Sequence, residues 1–96
     1  MHAAAVRLEL RIPDCSSLKE KRRRLRPVLD HLRRKMNLSV SEVDHQDAWQ
    51  RAALGVAVVA PQAAQLDQVV ESIRRWALEL LDLELVDLET GHVEMP

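Results

Sequence analysis

The chain contains no phenylalanine and no tyrosine, and only two tryptophans. RNA-recognition sheets stack bases on strand aromatics, so this chain lacks the means for that mode of recognition. Glycine occurs only at Gly55 and Gly91, which leaves no glycine-rich loop to cradle a nucleotide's phosphates and sets nucleotide-dependent chemistry aside. The single cysteine, Cys15, has no partner for an intramolecular disulfide. No charged leader followed by a long apolar run opens the sequence, so a cytoplasmic location is expected. The longest apolar stretch, around residues 56–60, falls far short of the ~20 residues that cross a bilayer, and no membrane partner is expected.

What is present is a globular composition: 96 residues, 47% hydrophobic and 30% charged. That length predicts one domain over residues 1–96, with too little interior for a deep substrate cleft. The formal charge of -1 conceals a strong asymmetry. Nine basic residues stand against Glu20 and Asp30 between positions 19 and 35, while positions 79–94 hold six acids and no Lys or Arg. Local fields, not net charge, therefore decide which partners are attracted.

Strict alternation of Val6, Leu8, Leu10 and Ile12 with Arg7, Glu9 and Arg11 predicts a half-buried strand ended by Pro13. Ser17 and Glu20 then match a capping box, and Leu18, Leu25, Leu29, Leu32 and Met36 form the apolar stripe of a helix, with Val28 at its edge. Pro27 predicts a kink near residues 23–26, and Asn37 suits the left-handed closing position. A strand over residues 38–43 slips phase, which predicts a bulge near Ser41 or Glu42. Residues 53–59 read as an interior strand, 62–81 as a second amphipathic helix with Pro61 in its first turn, and 83–93 as a strand with Val86 and Leu88 on one face and an acidic other face.

Strand, helix, strand, strand, helix, strand is the ferredoxin-like βαββαβ order of the α+β class. It predicts a four-stranded antiparallel sheet, two helices on one face, and the first and third strands in the middle. The segments Ser17-Leu18-Lys19-Glu20-Lys21-Arg22-Arg23 and Glu42-Val43-Asp44-His45-Gln46-Asp47-Ala48-Trp49-Gln50-Arg51-Ala52, followed by Leu54-Gly55-Val56-Ala57-Val58-Val59, resemble the signature of the bacterial YlxP-like family over nearly the whole chain. Pro27 departs from that pattern, as does His45, where an acidic residue is more typical. The resemblance implies the same fold, a cytoplasmic location, and gene neighbours that include translation initiation factor two and ribosome-binding factor A.

The basic helix is the strongest functional signal. At ~100° per residue Lys19, Arg22, Arg23, Arg26, Arg33 and Arg34 fall on one flank beside the apolar stripe. Eleven of the 14 basic residues are Arg, whose guanidinium matches phosphate bidentately. These six are the expected contacts to structured RNA, ribosomal RNA or a ribosomal subunit, made to backbone and shape rather than to bases. The competing view is a solvated face partly neutralised by Glu20 with Arg24 and by Asp30 with Arg26 or Arg34.

The polar turn Asp44, His45, Asp47, with Trp49 and Arg51 after it, is a second contact candidate. Asp44 and Asp47 are expected to accept backbone N–H groups, and Trp49 to pack across the sheet edge. Together with Glu42 these carboxylates and the imidazole match no metal-ligand spacing, so neither metal nor cofactor is expected, and no catalytic residue is assigned. Cys15 reads as a small residue in a turn, and Trp76 as the edge of the core. The functional expectation is a non-enzymatic binding module. The alternative is a homodimer or protein-interaction module using the open sheet face, where Arg7, Glu9, Arg11, Ala57 and Val59 make a mixed surface.

Overall fold

The computed structural model describes residues 1–96. Its elements are β1 (His2–Arg11), α1 (Leu18–Asp30) continued by a π-helical turn (His31–Lys35), β2 (Ser39–Asp44), β3 (Arg51–Ala60), α2 (Ala63–Leu78) and β4 (Glu84–Glu94). The sheet order is β2-β3-β1-β4 and every neighbouring pair is antiparallel. This is the ferredoxin-like α+β arrangement, with the first and third strands central as the crossover rule requires.

Alternation along β1 and β3 drives the layering. Val6, Leu8 and Leu10 with Leu54, Val56 and Val58 face inward, against Leu25, Val28 and Leu32 from the first helical stretch and Leu66 and Ile73 from α2. Each such side chain taken fully from water contributes about 1.5–3 kcal/mol. Strands of 10 and 11 residues run about 35 Å, longer than the ~20–24 Å of the two helices. Thr90 and His92 at the end of β4 consequently face inward beyond the helices and remain exposed.

Ser17 caps α1 by accepting the Glu20 N–H at 3.1 Å. The Glu20 carboxylate returns to the N–H of Ser16 at 2.9 Å, so the capping box closes one residue upstream of the expected site. The helix runs unbroken through Pro27. The irregularity expected at residues 23–26 lies downstream instead, in the π-helical turn, where the Met36 N–H reaches the His31 carbonyl at 3.1 Å. Asn37 takes the left-handed conformation, φ 56°, and the Leu38 N–H closes on the Leu32 carbonyl.

Both edge strands carry an extra residue. In β2 the register shifts between Glu42 and Asp44, within one residue of the expected bulge, so Val43 stays on the open face near Gly55 and Asp44 joins it there. A Cβ on Gly55 would lie 2.7 Å from a Val43 methyl, so any larger residue there would force Val43 to move. In β4 the shift leaves Val86 unpaired between Leu85 and Asp87. Leu85 and Leu88 therefore pack on the core, and Val86, expected to share a face with Leu88, is exposed. The second helix ends at Leu78, short of the expected Leu81, which is fully exposed, and Pro61 precedes the Gln62 cap rather than occupying the first turn.

Candidate nucleic-acid interface

The capped start of α1 puts Lys19, Arg22, Arg23 and Arg26 on its outer flank, and the π-helical turn adds Arg33 and Arg34; all six are exposed. They line two adjoining depressions of about 490 and 450 Å³ that share Arg22 and Arg26. The first holds no hydrophobic side chain. Glu20 approaches only Arg23, at 3.9 Å, and Arg33 donates to the Val40 carbonyl at 3.2 Å. Lys19, Arg22, Arg26 and Arg34 form no ion pair. The expected neutralisation by Asp30 does not occur, because no Arg reaches it within 4.0 Å.

Two of the nine cations serve the fold instead. Arg24, paired with Glu20 in the sequence reading, turns to the α2–β4 connection, where it meets Asp82 at 3.0 Å and the Pro13 carbonyl at 2.6 Å. Lys21 is only 2% exposed. Its ammonium donates to the carbonyls of His45 at 2.7 Å and Ala48 at 2.8 Å and faces Glu42 at 3.4 Å. Sequence reasoning counted Lys21 as surface charge. The missed signal is its phase: three residues after Leu18 and four before Leu25, it stands within the apolar stripe.

Lys21 thereby sets the polar turn that Asp44 and Asp47 were expected to set. Asp44 does accept a backbone N–H, that of His45 at 2.8 Å, and helps hold His45 at φ 61°. Asp47 makes no side-chain hydrogen bond; the turn closes through Ala48 N–H to the His45 carbonyl and through Lys21. Trp49 does not pack across the sheet edge but stands 50% exposed, in a depression with Asp47, Ala48, Gln50 and Arg51. Trp76 lies at the core edge as expected, stacked on His31 with ring centroids 4.4 Å apart. Cys15 is buried and its thiol donates to the Ser17 carbonyl.

The turn's other residues join the open sheet face. Glu9 accepts from His45 Nε2 at 2.7 Å, from Arg51 at 3.0 Å and from Arg7 at 3.3 Å, and Arg7 also reaches Asp44 at 3.1 Å. Partial burial pushes the Glu9 carboxyl up, yet the bonds from His45 and Arg51 outweigh it and hold Glu9 below its ordinary value of 4.5. The His45 N–H, then Arg7, holds Asp44 below 3.8 in the same way. Arg11 is paired with Glu84 at 2.9 Å. The charges that β1, β3 and the turn bring to this face thus pair with one another, while Asp87 and Glu89 of β4 beside them form no ion pair.

Carboxyls with lowered pKa stabilise the fold at pH values above their unfolded ones, and that contribution disappears as pH falls through the native values. We expect the urea midpoint to be level from neutral pH to about pH 5 and to fall below about pH 4. Glu9→Gln is expected to flatten the decline. An identical acid limb in that variant would contradict the role given to Glu9.

A ferredoxin-like domain with a largely unpaired basic helical flank and an open sheet face crossed by a Glu9-centred ion-pair cluster is the class that fold and surface define. The family described as “Protein of unknown function (DUF503)” matches residues 3–90, and the chain belongs to it. The chain is also 39% identical over 62 residues to “Uncharacterized protein YlxP” of Bacillus subtilis (strain 168), a stretch covering 65% of this chain and 67% of that protein. No helix is long and apolar enough to cross a membrane.

Proposed function

We propose that the protein is a non-enzymatic, cytoplasmic binding module that grips structured RNA, ribosomal RNA or a ribosomal subunit among them, through the exposed flank of α1. The observation that carries this reading is the pair of adjoining depressions lined by Lys19, Arg22, Arg23, Arg26, Arg33 and Arg34, five of which have no ion pair. Exposed guanidinium groups spaced along one helical flank suit backbone phosphates, whose binding releases counterions. Co-sedimentation with ribosomal subunits at low and moderate salt tests it. Binding at low salt that weakens sharply at moderate salt is the expected result, and absence from the pellet at low salt would overturn the reading.

A second reading, association of two copies through the open sheet face, is favoured by one observation. Val43, Val59, Val86 and Val93 stand there with 49–67% of their surface exposed. Burying them against a second copy would remove that apolar surface from water. Under this reading sedimentation equilibrium gives a mass that rises with concentration toward twice 11.0 kDa. A constant monomer mass across the micromolar range rejects it and leaves the RNA reading untouched.

A further inference from the structure

Trp49 leaves half of a large aromatic surface in water, and its ring stacks on no other: the ring pairs of the chain are His2 with His92 and His31 with Trp76. The backbone on either side of it is nevertheless fixed. The Ala48 carbonyl receives Lys21 Nζ at 2.8 Å, and the Ala48 N–H closes on His45. Gln50 accepts the Ile12 N–H at 2.9 Å through its carbonyl and donates from Nε2 to the Cys15 carbonyl at 3.2 Å. The indole is therefore displayed on a rigid mount tied to the first turns of α1 and to the segment that leads into it.

One buried side chain joins that mount to the basic flank, since Lys21 Nζ meets both the Ala48 carbonyl next to Trp49 and the Glu42 carboxylate. Lys21, which holds the turn, is the chain neighbour of Arg22, and Glu42, which also faces Lys21, lines the same depression as Arg22, Arg26 and Arg33. Toward a phosphate an indole offers a single N–H donor and leaves its apolar face unused. An unpaired base next to a phosphate on α1 would gain a stacking partner with an apolar face and little conformational freedom to lose.

We propose that Trp49 is a stacking platform for a single unpaired nucleobase of an RNA whose phosphates lie along α1. The inference rests on the RNA reading above and narrows its ligand from structured RNA in general to a helix interrupted by a bulge or an overhang.

The test compares an unbroken RNA duplex with the same duplex carrying one bulged fluorescent purine analogue, both at low salt. We expect the bulged RNA to bind more tightly by about fivefold to a hundredfold, with the analogue's emission quenched. Trp49→Ala should abolish the preference and the quenching while leaving duplex affinity and its salt dependence unchanged, and Trp49→Phe should retain part of both. Equal wild-type affinity for the two RNAs, or a preference that survives Trp49→Ala, overturns the stacking platform alone. Failure of both RNAs to bind wild-type protein overturns it together with the RNA reading.

Discussion

Replacing Lys21 with methionine is expected to destabilise the protein by about 3 kcal/mol, a drop of roughly 10–20 °C in the melting temperature of a domain this size. Methionine keeps the length and apolar stem of the side chain, so packing against Leu25 and its neighbours survives. What is lost is the ammonium that two carbonyls and one carboxylate share. A buried acceptor left without a donor costs about 1–3 kcal/mol, and removing one member of a buried ion pair strands the other. Glu42 retains some contact with solvent, which keeps the expected loss below the sum of the separate costs. Arg22→Met, one position along but on the exposed flank, should change stability by no more than about 0.5 kcal/mol. Urea unfolding of the two variants decides the matter. A Lys21→Met protein as stable as the Arg22→Met protein would show that the turn stands without its buried cation.

The second large effect concerns affinity and leaves the fold alone. Changing Arg22, Arg23 and Arg26 together to alanine is expected to weaken binding to structured RNA on the order of a hundredfold at about 0.1 M salt, since each lost phosphate contact removes close to one power of the salt dependence. The loss should be the same for unrelated RNA sequences, because backbone contacts carry no base information. All three side chains are exposed, and only Arg23 has an acidic neighbour, at 3.9 Å, so the melting temperature should not change appreciably. Fluorescence anisotropy with two unrelated hairpins measures it. Full retention of affinity would move the interface away from α1.

The central strands were the most legible part of the fold because their signal is local: the two-residue period of Val6, Leu8, Leu10 and Ile12 and the apolar run through Val56 and Val58 both mark burial directly. The edge strands were less so. The β2 bulge shows in the sequence as a slip of phase, but which residue it re-aims does not: the extra residue turns Asp44 to the open face in β2 and Val86 in β4, and both follow from pairing with β3 and β1. In α1 the flank of cations was legible from helical spacing alone, and the structure gathers the six residues that spacing selected.

Which of the neighbouring cations are free was not legible. Lys21 and Arg24 look like Arg22 and Arg23 in the chain, and only the arrival of residues 45–48 and of Asp82 from distant positions turns them inward. The open face shows the same limit. Arg7, Glu9, His45 and Arg51 come from three separate stretches, and their mutual pairing exists only once β1 lies beside β3.

The salt dependence of affinity for a structured RNA tests the central claim most directly. If the α1 flank neutralises four to six phosphates, the logarithm of the association constant should fall with the logarithm of salt concentration with a slope of about -3 to -5, and the triple arginine variant should be shallower by about 2 to 3. A flat response in the wild-type protein, or the same slope in both proteins, would contradict the account.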